Sequence, residues 1–240
     1  MQRRIWLKRT LIASSVGVLG AAVALWHRPS LLTRQLYQSP EPARSAHEYP
    51  QSLQRISSER RRLKRLLNQR QLTTSQLGAA FTQLMLTEVF PFWYGTPWAF
   101  SGTSETPQSG HIACGYFVTT TLRDMGLPIE RVKLAQAASE TMIRRLVYQR
   151  SISHHSNRSL TQFSTELTKA SSGLYIVGLD NHTGFIAVGT HEQWFIHSSG
   201  VYPFCVVKER VAEASVLAAS NYRVLGKISA DEALLYRWLG

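Results

Sequence analysis

The sequence predicts an α+β domain in which a helix bearing Cys114 packs on a small antiparallel sheet. Two observations carry this expectation. Apolar residues recur at helical spacing over Cys114, Val118, Leu122 and Met125, and Gly126 with Pro128 supplies a stop signal. Beyond residue 170 the character changes to short runs rich in β-branched and aromatic residues, GLYIVGL, HTGFIAVG, QWFIHS and VYPFCVVK, separated by turn residues.

The N-terminal segment carries a different pattern. Arg3, Arg4, Lys8 and Arg9 precede an uncharged run, residues 10–26, so residues 1–28 are expected to be an export signal or N-terminal membrane anchor. Ala22-Val23-Ala24 would serve as a cleavage site, and the charge asymmetry directs the chain after residue 28 out of the cytoplasm. The product is then either anchored to the cytoplasmic membrane facing the periplasm or cell exterior, or secreted after cleavage. Residues 29–72 read as a basic linker, with Pro40, Pro42 and Pro50, leading to an amphipathic helix over 52–70. That helix is either solvated or lies on anionic lipid or wall polymer. The folded domain is expected over 73–240. It opens with a helix marked by Leu77, Phe81, Leu84 and Val89 that stops before Pro91, and an aromatic loop, PFWYGTPWAFSGTSETPQSG, comes next. After a polar stretch from about 131 to 170 come the strands, an Ala-rich helix near 210–219, a strand near 222–228 and a last helix opened by the capping box Ser229-x-x-Glu232.

Composition narrows the partners. With 27 Lys and Arg against 15 Asp and Glu, the formal charge is +12, which attracts nucleic acid, anionic lipid or an acidic polymer. Nucleic acid is disfavoured by the export signal and by the lack of any helix-turn-helix, zinc-finger or RNA-binding signature. Two cysteines, Cys114 and Cys205, are too few for a disulfide framework, although one bridge between them is open. Cys205 lies in an apolar run and fits a small buried hydrophobe.

Cys114 stands where a helix begins, so free amides and the positive end of the helix dipole face its sulfur. The expectation is a low-pKa thiolate, with the same amides available to an oxyanion. A base must come from elsewhere, and His182, His191 and His197 cluster in the strand region. A hairpin turning at Gly189-Thr190 sets His182 opposite His197, close enough for one imidazole to orient the other. A three-histidine zinc site is the rival. No H-E-x-x-H or C-x-x-C spacing accompanies it, so no metal or organic cofactor is expected.

These residues resemble the NlpC-like cell-wall cysteine peptidases of the papain-like superfamily, over about residues 92–200. The resemblance rests on IACGYFVTTTL, GLYIVGLDNHTGFIAVG and QWFIHSSG. The family pattern D-C-S-G-F-V is here Ala113-Cys114-Gly115-Tyr116-Phe117-Val118, and the family's H-V-G-I-Y-x-G and F-I-H-A are matched at His182, Gly184, Gly189, Phe195, Ile196 and His197. The resemblance implies a papain-like NlpC-type fold with Cys114 as nucleophile, His182 as base and His197 as its orienter. It places Tyr94 near the thiol, and Trp93 and Trp98 beside it are candidate substrate walls. It further implies a substrate in the peptide stems of peptidoglycan or another anionic envelope polymer. An acyltransferase or amidase on the same scaffold, and a non-catalytic wall-binding module, are the other two classes.

Overall fold

The computed structural model describes residues 44–240. The segment 1–28, expected to be an export signal or anchor, and the first part of the expected linker lie outside the described residues. Among the described residues no helix is long and apolar enough to cross a membrane.

The described chain is α+β, with one six-stranded sheet whose neighbours all pair antiparallel. Helices α1 (Tyr49–Asn68) and α2 (Thr74–Leu84) precede a π-helical turn, Met85–Val89, and α3 (Phe90–Trp93). Then come α4 (Cys114–Asp124), α5 (Arg131–Ala135), α6 (Ser139–Leu146), β1 (Ile152–His154) and α7 (Leu160–Thr168). Strands β2 (Gly173–Leu179), β3 (Thr183–Val188), β4 (Gln193–Ser198) and β5 (Val206–Arg210) lead to α8 (Ser215–Ala219), β6 (Arg223–Lys227) and α9 (Glu232–Leu239). The strand order is β1-β6-β2-β3-β4-β5.

Both faces of the sheet are covered, because strands β2 and β3 are apolar at nearly every position rather than alternately. On one face Phe185, Ile176 and Ile196 join a core with Phe117 and Val118 of α4, Phe81 of α2 and Trp238 of α9. On the other, Ile186, Phe195 and Val177 pack with Phe163 and Leu167 of α7 and with Leu217 of α8.

Several elements differ from the expectation of the sequence. The basic helix is not an appendage before residue 73. Tyr49, Ile56 and Leu63, seven residues apart, are buried in the same core as Phe117, and only the intervening faces carry the arginines to solvent. Helicity also continues past Pro91. A proline frees the carbonyl four residues earlier, and here that carbonyl, Thr87, accepts a 3.0 Å bond from Arg44 Nη1. The π-helical turn just before it resets the hydrogen-bond ladder. The polar stretch 131–170 is structured as α5, α6, β1 and α7. In the last helix Asp231, not Ser229, is the N-cap and accepts from Leu234 N, while Ser229 Oγ accepts from Leu174 N at 2.9 Å.

Truncating Ile56, 1% exposed, to alanine should therefore destabilise the fold by about 2–5 kcal/mol. Arg61→Ala on the outer face should change stability by no more than about 0.5 kcal/mol. Urea denaturation of both variants checks this, and equal small effects would place α1 outside the cooperative core.

Candidate functional site

Cys114 opens α4. Its preceding residue, Ala113, is the N-cap in extended conformation, so the first turn of the helix presents unbonded amides. The approach to the helix is fixed on both sides. Ala113 N donates to Gly102 O at 2.9 Å and Ile112 N to Pro97 O at 2.9 Å. The Ile112 carbonyl accepts a 2.6 Å bond from Ser198 Oγ, which ties the start of the helix to the end of β4, next to His197. Gly115 lies directly against α5, where a β-carbon would overlap the Ala135 carbonyl oxygen. That contact accounts for glycine at this position.

His182 is set by the β2–β3 hairpin. Leu179 N donates to His182 O at 2.8 Å across a two-residue loop, Asp180-Asn181. The Asp180 carboxylate accepts from Asn221 N at 2.7 Å and Ser220 Oγ at 3.0 Å, anchoring the loop to the chain before β6. Cys114 and His182 line the same two cavities. One, about 720 Å³, has a largely apolar wall including Trp98, Phe100, Tyr116 and Val201; the other, about 440 Å³, includes Ser139, Glu140, Asp180 and Tyr222. Among the described residues neither cavity is lined by a lysine or arginine.

His182 Nε2 meets His197 Nδ1 at 2.8 Å, with the rings at 87° to one another. The register differs from the one expected. Phe185 pairs with Ile196 and Gly189 N closes onto Glu192 O, so the hairpin turns at Thr190-His191 and His197 faces Gly184, not His182. The slip is two residues, which leaves both imidazoles on one face, now diagonal to each other. Glycine at 184 makes this possible: a β-carbon there would sit 2.7 Å from the His197 Cβ. His191 is in the loop at the far end of the hairpin, so the three-histidine zinc arrangement does not assemble, and among the described residues no cluster of metal-ligating groups occurs.

His197 is completely buried and stacked on Phe195, 3.9 Å between centroids at 13°. Its Nε2 meets Glu209 Oε1 at 2.8 Å. Glu209 is a site residue that the sequence reading misses. No sequence pattern marks it: only the pairing of Glu209 with Phe195 places it on the inner face with Val207 and His197. Of the three aromatics expected at the substrate, Trp98 lines the larger cavity. Trp93 and Tyr94 line neither cavity. They are enclosed at 0% and 2% exposure, and Trp93 donates through Nε1 to Tyr49 OH at 3.1 Å, T-shaped against Phe117. Phe100, 89% exposed on the rim, is the loop aromatic that takes their place.

The electrostatics depart from a preformed thiolate. Burial pushes the Cys114 thiol above its ordinary value, and the amides of Thr183, Gly115 and Cys114 that face the sulfur offset only part of this. Burial, then the neighbouring His197, hold His182 well below the ordinary imidazole value, and burial alone takes His197 down to about 3. At neutral pH the resting site is a neutral thiol beside two neutral imidazoles. Both cysteines are free thiols, and burial pushes Cys205 up as well.

Comparison of the chain with protein-family models, with curated proteins and with solved structures finds no match.

Alkylation tracks the thiolate fraction. The iodoacetamide rate at Cys114 should keep rising above about pH 8.5, the ordinary thiol value. A rate already level by pH 6 would instead mean a standing thiolate–imidazolium pair.

Proposed function

We propose that the chain is an extracytoplasmic cysteine peptidase of papain-like, NlpC-type architecture that hydrolyses amide bonds in the peptide stems of peptidoglycan, needing no metal or organic cofactor. The observation that carries this reading is a cysteine at a helix N-terminus sharing a cleft with an imidazole whose far nitrogen is tied to a second, buried imidazole. Because His182 Nε2 is engaged with His197, Nδ1 is the nitrogen left for the thiol.

In this mechanism His182 Nδ1 takes the Cys114 proton as sulfur attacks the carbonyl. The negative oxygen of the tetrahedral intermediate is held by the free amides at the start of α4. As the C–N bond breaks, the imidazolium returns the proton to the leaving amine. Water, deprotonated by the same nitrogen, then hydrolyses the thioester and releases Cys114. With thiol and imidazole both neutral at rest, the proton transfer accompanies attack rather than preceding it.

The charge pattern that predicts export and the basic composition support an envelope substrate, with the membrane reached through the N-terminal segment. Among the described residues the cleft carries no lysine or arginine, so attraction to an anionic matrix would act on the molecule as a whole rather than select the bond. The apolar wall of Trp98, Phe100 and Val201 favours a second reading, an acyltransferase in which a lipid or amine receives the acyl group from Cys114.

Incubating the purified protein with muropeptides and identifying products by mass spectrometry separates these readings, because hydrolysis gives free termini and transfer gives a conjugate. Cys114→Ala should abolish turnover, and His182→Ala should lower it roughly 10²- to 10⁴-fold. His197→Gln keeps a polar partner and should retain more activity than His197→Ala, with both above His182→Ala. Turnover surviving in Cys114→Ala would overturn the assignment.

A further inference from the structure

Glu209 is a carboxyl on the inner face of a sheet, with its side chain 16% exposed, and it bonds at 2.8 Å to an imidazole fully removed from water. It lies two residues along β5 from Val207, which pairs with His197. Its strand neighbours Lys208 and Arg210 point to the opposite face, where both lie over the Trp194 ring and Arg210 also pairs with Glu192 at 3.5 Å. From β4, Glu209 faces Phe195 and His197. The elements covering this face present Phe163, Leu167, Val211, Ala214 and Leu217, and their acidic residues are turned away: Glu166 is taken by His155 at 2.6 Å and Glu213 is exposed. No cation faces the carboxyl among these groups, so its only direct ionisable partner there is His197.

We propose that Glu209 is a positioning residue that sets the tautomers of both imidazoles, leaving His182 Nδ1 bare when the carboxyl is ionised and occupied when it is protonated. The proposal rests on His182 being the base of the site.

The hydrogen-bond row admits two consistent arrangements, differing by one proton. With Glu209 ionised, Oε1 is only an acceptor, so His197 must carry its proton on Nε2 and donate it. His197 Nδ1 is then an acceptor, His182 must donate from Nε2, and His182 Nδ1 keeps a lone pair for the thiol. Add one proton at His182 Nδ1, and each proton in the row can move one bond along. His182 gives its Nε2 proton to His197 Nδ1, and His197 gives its Nε2 proton to Glu209 Oε1. Each ring still holds one N–H and stays neutral, and Glu209 ends as a carboxylic acid. In that arrangement His182 offers the thiol a donor, not a base.

The affinities run in the direction this requires. Burial raises Glu209 to about 7, whereas His197 falls to about 3 and His182 lies well below its ordinary value. A proton added to the row therefore settles on the carboxyl. The competent tautomer is accordingly present above about pH 7 and is lost as pH falls through it, at a pH where free glutamate would long have been ionised.

The test is long-range ¹H–¹⁵N correlation on the full chain with labelled histidine, from pH 5.5 to 8.5, with muropeptide hydrolysis measured alongside. In the native protein both rings should be Nε2–H at pH 8 and convert to Nδ1–H with a midpoint near 7. Glu209→Gln, which accepts through Oε1 without titrating, should keep the Nε2–H form throughout, and its hydrolysis at pH 6 should stay within about threefold of that at pH 8. Glu209→Ala removes the acceptor and should lower hydrolysis at pH 8 by roughly 5- to 150-fold. Native rings that keep one tautomer over the whole range, or a Glu209→Gln variant that switches at the native midpoint, would overturn the proposal. Tautomers that behave as expected in a protein that hydrolyses no muropeptide would count against the peptidase reading and leave the role of Glu209 standing.

Discussion

An imidazole with both nitrogens out of water is tolerated only if each finds a partner, because an unpaired buried polar group costs on the order of 1–3 kcal/mol. His197 meets that condition inside the sheet, between His182 at the end of the β2–β3 loop and Glu209 on β5. Much of the local structure serves it. Gly184 leaves room across the ladder, Phe195 stacks on the ring, and Ser198, the next residue, holds the loop that leads into Cys114. Had β4 slipped by one residue, His197 would point into the other core and the helix start would lose its anchor. The ladder between β3, β4 and β5 thus holds both the fold and the cleft.

The helix bearing Cys114 and the strands bearing the histidines are legible in the sequence because their apolar periods are regular and their stops are glycine and proline. The meeting of His182 with His197 is also legible, although through a turn placed one residue too early. It survives because a shift of two residues preserves which face a side chain occupies. Glu209 is not legible. Between Lys208 and Arg210 it looks like part of a solvated edge, and only the pairing with β4 shows that it alone of the three turns inward. The depth of Trp93 and Tyr94 is hidden for a related reason: an aromatic-rich loop gives no period, so wall and core positions look alike. In α1 the apolar stripe is legible as an amphipathic helix, but the arginines around it make a lipid or polymer surface as plausible a cover as the domain's own core, which is what buries Ile56 and Leu63.

Desolvation shapes the chemistry of the cleft as much as geometry does. A helix N-terminus alone would lower a thiol, yet Cys114 is enclosed enough that burial prevails. The same burial makes both imidazoles weak bases and one carboxyl a strong one, inverting the order these groups have in water.

Net charge is a poor guide to the field this surface presents. Arg60 of α1 reaches inward to the Trp238 carbonyl at the end of α9, and Trp238 Nε1 donates in turn to the Met125 carbonyl at the end of α4. A cation thus stands where two helix dipoles end in negative charge, one of them the dipole of the helix that bears Cys114. Arg55 is neutralised by Glu88 and Arg62 by Glu59, while Lys64 bonds the Gly240 carbonyl. Part of what looks in the sequence like a docking stripe is mortar, since Arg60 and Lys64 are set between the first and last helices of the domain, while Arg55, Arg61 and Arg62 stay exposed on the outer face.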